Sequence, residues 1–96
     1  MSYPHEARAV EDVVAQAARH IGHHGGLAGD WYVGIEEKGS DRDSRNDRCL
    51  MNYLLASEDD AKTAMSRLLD RGLQADDEYG AEPTILFIYT RKKKAA

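Results

Sequence analysis

Thr84-Ile85-Leu86-Phe87-Ile88-Tyr89-Thr90 is the stretch that decides the fold. Side chains of a strand alternate between its two faces. A run that is apolar at every inner position is therefore covered on both sides, which places it at the centre of a sheet. Pro83 closes the segment before it, and residues 73–83 read as a polar loop. Further back lies a well-punctuated helix. Ser57 is a good N-cap, and Glu58, Asp59 and Asp60 fill a first turn where the helix dipole favours carboxylates. Ala61, Ala64, Met65, Leu68 and Leu69 form one apolar stripe, and Gly72 stands at the C′ position after Arg71.

Two more strands precede that helix. Cys49-Leu50-Met51-Asn52-Tyr53-Leu54-Leu55-Ala56 reads as a mostly buried strand, with Cys49 as a core residue rather than a nucleophile. Trp31-Tyr32-Val33-Gly34-Ile35 is bounded by Gly29 and Gly39, with Trp31, Val33 and Ile35 on one face and Tyr32 and Gly34 on the other. The charged stretch between them, Glu36 to Arg48, reads as a loop. At the start, residues 4–21 carry Val10, Val13, Val14, Ala17, Ala18 and Ile21 at helical spacing, and Gly22 ends the pattern. The order is α-β-β-α-β. It implies an α+β domain over residues 1–96, with a small mixed or antiparallel three-stranded sheet and two packed helices.

Composition narrows the function classes. An apolar fraction of 42% and a charged fraction of 31% are those of an ordinary globular chain. No apolar run is long enough to span a bilayer, and the start lacks a signal-peptide pattern. Cys49 is the only cysteine, so no internal disulfide can form and a cytoplasmic location is expected. The net charge is −4, concentrated in residues 57–82, where eight acidic residues face three basic ones. Such a body repels nucleic acid in general, and a protein partner is the stronger expectation. A three-stranded sheet also leaves an open edge through which a homodimer could form.

Several clusters carry candidate chemistry. Asp76, Asp77 and Glu78 would form an acidic interaction face for a basic protein surface, or a solvated loop. Arg91, Lys92 and Lys93 begin a basic tail over residues 91–96, suited to a phosphate backbone or an acidic partner, or simply frayed. His20, His23 and His24 could approach one another on a helix, yet glycines break the helix there and a structural zinc site needs four ligands. Histidines at a helix C-terminus also suit the dipole. The glycines at 22, 25, 26 and 29 follow a helix and precede a strand, the reverse of a phosphate-cradling loop.

Residues 31–89 resemble a divergent GIY-YIG nuclease-type domain. Tyr32-Val33-Gly34 matches the family's Tyr-Ile-Gly strand, and Arg42, eight residues after Gly34, lies close to its catalytic arginine, with Arg45 as a competing match. The strand ending Leu54-Leu55-Ala56, the helix start Ser57-Glu58-Asp59-Asp60-Ala61, and the closing strand with Phe87 and Tyr89 match too. The resemblance implies that Tyr32 activates water and Arg42 stabilises phosphate charge, while Mg²⁺ neutralises the leaving group. It also exposes departures. The family's first Gly-Ile-Tyr strand is absent, with a helix in its place, and the histidine or tyrosine expected after the arginine is missing. Met65 stands where the helical glutamate should hold the metal, and a thioether is a poor ligand for a hard cation. The expectation is a non-catalytic binding module without a cofactor, in which Tyr32, Arg42 and Arg45 are vestigial or contact phosphate. One alternative is an active Mg²⁺-dependent endonuclease with a relocated acid at Glu58 or Asp60. Another is an acidic protein–protein inhibitor or adaptor of nucleic-acid machinery.

Overall fold

The computed structural model describes residues 6–24, 26–40 and 47–91. Helix α1 spans Val10–His23 and leads through a short 3-10 turn, Ala28–Asp30, into strand β1, Trp31–Glu36. Strand β2, Arg48–Leu54, precedes helix α2, Glu58–Asp70. Strands β3, Gln74–Tyr79, and β4, Ile85–Thr90, complete a four-stranded sheet of order β2-β4-β1-β3. Strand β4 runs antiparallel to both β1 and β2, and β3 runs parallel to β1. The architecture is α+β, as the sequence implies, with one strand more than expected.

All six residues of β4 are buried, as its unbroken apolar run requires of a central strand. Its register against β1 pairs Tyr32 with Tyr89, Val33 with Ile88, Gly34 with Phe87 and Ile35 with Leu86. Alternation then divides the sheet. Trp31, Val33, Ile35, Tyr53, Leu86 and Ile88 join Val13, Ala17 and Ile21 of α1 and Ala61, Ala64 and Leu68 of α2 in one core. Tyr32, Gly34, Phe87 and Tyr89 point to the opposite face. Helix α2 is capped as its sequence implies: the Asp60 amide donates to Ser57 Oγ at 3.1 Å, and Gly72 takes φ +107 just past the end.

Five expectations need correction. The segment 73–83 is not all loop, because β3 occupies Gln74–Tyr79. It is an edge strand, held by main-chain pairing to β1, so it needs little apolar content. Strand β2 is the other edge, and of its seven residues only Tyr53 is buried. Cys49 is exposed with φ +55, at a register shift between Arg48 and Met51, and is not a core residue. Helix α1 starts at Val10 instead of residue 4. The Arg8 amide donates to the Leu54 carbonyl at 2.8 Å, which commits that residue to the sheet and delays the helix. Residues 4 and 5 lie outside the described residues. The helix also continues through Gly22 to His23, where a glycine side chain's absence leaves open space.

Candidate functional site

Chemistry-bearing side chains gather on the face of the sheet opposite the helices. Tyr32 and Tyr89, cross-strand partners, stack with ring centroids 5.2 Å apart and planes 13° apart. Phe87 extends the row, 6.1 Å from Tyr89 and 6.0 Å from Tyr79. Phe87 needs the bare backbone of Gly34 beneath it: a β-carbon there would strike the ring and come 2.9 Å from the Asp77 carbonyl oxygen.

Asp76 anchors this row. Its Oδ1 accepts from the Tyr79 hydroxyl at 2.7 Å and from the Asp77 amide at 2.6 Å, and its Oδ2 accepts from the Tyr89 hydroxyl at 2.5 Å. Burial first, and then the hydrogen bond to Asp76, push the Tyr89 phenol well above its ordinary 10.0. A phenol held so firmly in its protonated form is a donor and not a base. Arg91 closes the arrangement. Its guanidinium carbon lies 5.4 Å from the Tyr32 centroid and 5.5 Å from that of Tyr89, and Nη2 donates to Tyr89 Oη at 3.4 Å.

The structure thus joins Tyr32 and Arg91 and separates the acidic trio. Asp76 turns to the tyrosines. Asp77 and Glu78 are exposed, and Glu78 reaches toward Lys62 of α2 at 3.9 Å while Lys62 pairs with Glu58 at 2.9 Å. Arg42, Arg45, Lys92 and Lys93 lie outside the described residues. Met65 packs against the core on the helix side, so the position that resembles the family's metal-ligand site and Tyr32 are on opposite faces of the sheet.

His20 and His24 pack together against Trp31. His20 Nε2 lies 2.7 Å from the Cys49 carbonyl oxygen, and its ring meets those of His24 at 4.6 Å and Trp31 at 5.5 Å edge-on. Among the described residues no three His, Cys, Asp or Glu side chains are placed to hold a metal ion. Nor is any described helix long and apolar enough to cross a membrane.

Sequence reasoning missed the tie from Asp76 to Tyr79 and Tyr89, which depends on β3 being a strand. The available signal was Tyr79 itself, a good strand former placed just before Gly80. No family model matches the chain, and no curated protein or solved structure matches it either.

Proposed function

We propose that this protein is a non-catalytic interaction module on a GIY-YIG-like scaffold, with a protein as its partner. The observation that carries this reading is the state of Asp76. Its carboxylate is engaged by two phenols and a backbone amide, so Asp76 is not poised as a base. The side of Met65 adds to it, since even a carboxylate there would project away from Tyr32. Glu58, one candidate for a relocated acid, is paired with Lys62 on α2. Support for the scaffold comes from β4, whose Phe87 and Tyr89, matched to the family's closing strand, lie antiparallel beside Tyr32-Val33-Gly34.

A protein partner other than a second copy suits the two edges. Strand β2 is interrupted at Cys49 and bridged by Arg8 at its end, and β3 carries exposed Asp77 and Glu78, so like edges would repel or mismatch. An exposed lone thiol at Cys49 suits a reducing, cytoplasmic setting. The test is a supercoiled plasmid incubated with the protein at low salt, with and without Mg²⁺, beside Tyr32→Phe. The plasmid is expected to stay uncut and unshifted in every lane. Nicking that needs both Mg²⁺ and Tyr32 would defeat the reading and restore the nuclease alternative.

A further inference from the structure

We propose that Arg91 and the Tyr32 hydroxyl form a receptor for one phosphate monoester group, presented by the protein partner. This rests on the interaction-module reading and specifies what the partner brings.

Arg91 is exposed, yet its guanidinium is not loose. It lies 5.4 and 5.5 Å from the centroids of two tyrosine rings that stack with their planes nearly parallel. Such stacking fixes the planar fork in advance, so less side-chain freedom is lost when a ligand docks. The Tyr89 hydroxyl holds it from below, accepting from Arg91 while donating to Asp76. The guanidinium has five N–H donors. Among the described residues it makes only that long 3.4 Å bond and no ion pair. Asp76, the carboxylate tied to the same phenol, is already occupied by Tyr79, Tyr89 and the Asp77 amide. The Tyr32 hydroxyl makes no hydrogen bond with any described residue, although its ring is half-buried. A fixed cation with spare donors therefore stands beside a spare hydroxyl.

The ligand class follows from this donor set. An arginine fork matches two oxygens of a phosphate, and the hydroxyl can serve a third. A phosphorylated side chain carries about −1.5 to −2 charge and so gains more from the fork than a carboxylate does. One arginine and one hydroxyl make a seat for a single anionic group. A nucleic-acid backbone is a poorer fit, because the chain's net charge of −4 repels a polyanion more than a single anionic group.

The experiment follows the Arg91 Nε–H resonance of ¹⁵N-labelled protein during four titrations: inorganic phosphate, a phosphoserine peptide, the same peptide unphosphorylated, and oligothymidylate. Saturable shifts are expected with phosphate and the phosphopeptide, tighter with the peptide, and none with the unphosphorylated peptide. For the variants, amide shifts of β1 and β4 replace the arginine probe. Affinity for the phosphopeptide should fall about tenfold or more in Arg91→Gln and about fivefold in Tyr32→Phe. Arg67→Gln, exposed on α2, should leave it unchanged. No saturable shift, or an affinity indifferent to Arg91→Gln, would overturn the receptor. Equal affinity for inorganic phosphate and phosphopeptide would overturn the protein-borne source, and tighter binding of oligothymidylate would assign the seat to nucleic acid instead. None of these outcomes depends on plasmid cleavage, so this proposal and the module reading fail separately.

Discussion

On one face of the sheet Val33, Ile35, Leu86 and Ile88 meet two helices; on the other Tyr32, Tyr79, Phe87 and Tyr89 meet one another and Asp76. Strands β1 and β4 supply residues to both sets, one residue out of phase, and β3 adds Tyr79 and Asp76. The helix side is held by apolar burial, which has no direction and no pH dependence. The tyrosine side is held by ring contacts pinned at one carboxylate, which has both. A single sheet thus separates a part that stabilises the chain from a part whose polar groups are arranged with fixed geometry.

The contrast can be broken by substitution. Ile88→Ala empties a fully buried position under the helices and should cost about 2–5 kcal/mol, read as a lower denaturation midpoint at unchanged slope. A cost below about 1 kcal/mol would mean that the helix side is not the main source of stability. On the other face, Gly34→Ala should cost about 1–3 kcal/mol, because Phe87 and the Asp77 carbonyl must give way. Should this variant prove neutral, the ring row would be more compliant than the stacking implies.

Tyr89→Phe sharpens the comparison most, with the smallest effect of the three. Loss of the bond to Asp76 should cost about 1–2 kcal/mol near neutral pH. The folded state holds the Tyr89 proton more tightly than the unfolded chain does, since its phenol is raised above 10.0. That contribution is complete below pH 10. It drains away as the pH climbs past the unfolded value toward the higher folded one. Denaturation at about pH 8 and about pH 11 should therefore show the wild type losing more stability than Tyr89→Phe over that interval. The Ile88→Ala deficit should stay constant. An equal alkaline loss in wild type and Tyr89→Phe would place the pH sensitivity elsewhere, with Tyr53 the next candidate, since burial raises its phenol too.

Some of this was legible in the chain itself. Strand β4 announced its central place by being apolar throughout, and α2 announced its ends through Ser57 and Gly72. Edge strands were not legible in the same way. In β3 the stabilising groups are backbone amides, which every sequence shares, so Gln74-Ala75-Asp76-Asp77-Glu78-Tyr79 looked like a loop. In β2 the error ran the other way. Leu50, Met51 and Leu54 suggested burial, but a strand at the sheet's edge leaves Met51 39% exposed. At the site, alternation set Tyr32 apart from Trp31 and Val33. Its partners needed a register between strands far apart in the chain, which no local pattern encodes.

The placement of β4 has a consequence for how the molecule is made. It lies between β1 and β2, yet it follows both of them and β3 in the chain. As the polypeptide leaves the ribosome, β1, β2 and β3 all point the same way, and only β1 and β3 are neighbours in the finished sheet. Apart from the Arg8 amide's bond to Leu54, strand β2 has no pairing partner in the sheet until Ile85–Thr90 slides in beside it. Until then the helices' apolar stripes lack Leu86 and Ile88, and the closing event is the insertion of a middle strand. Pairings of such long span are slow to form. The interval before that insertion is when this chain is most exposed to aggregation and to chaperones.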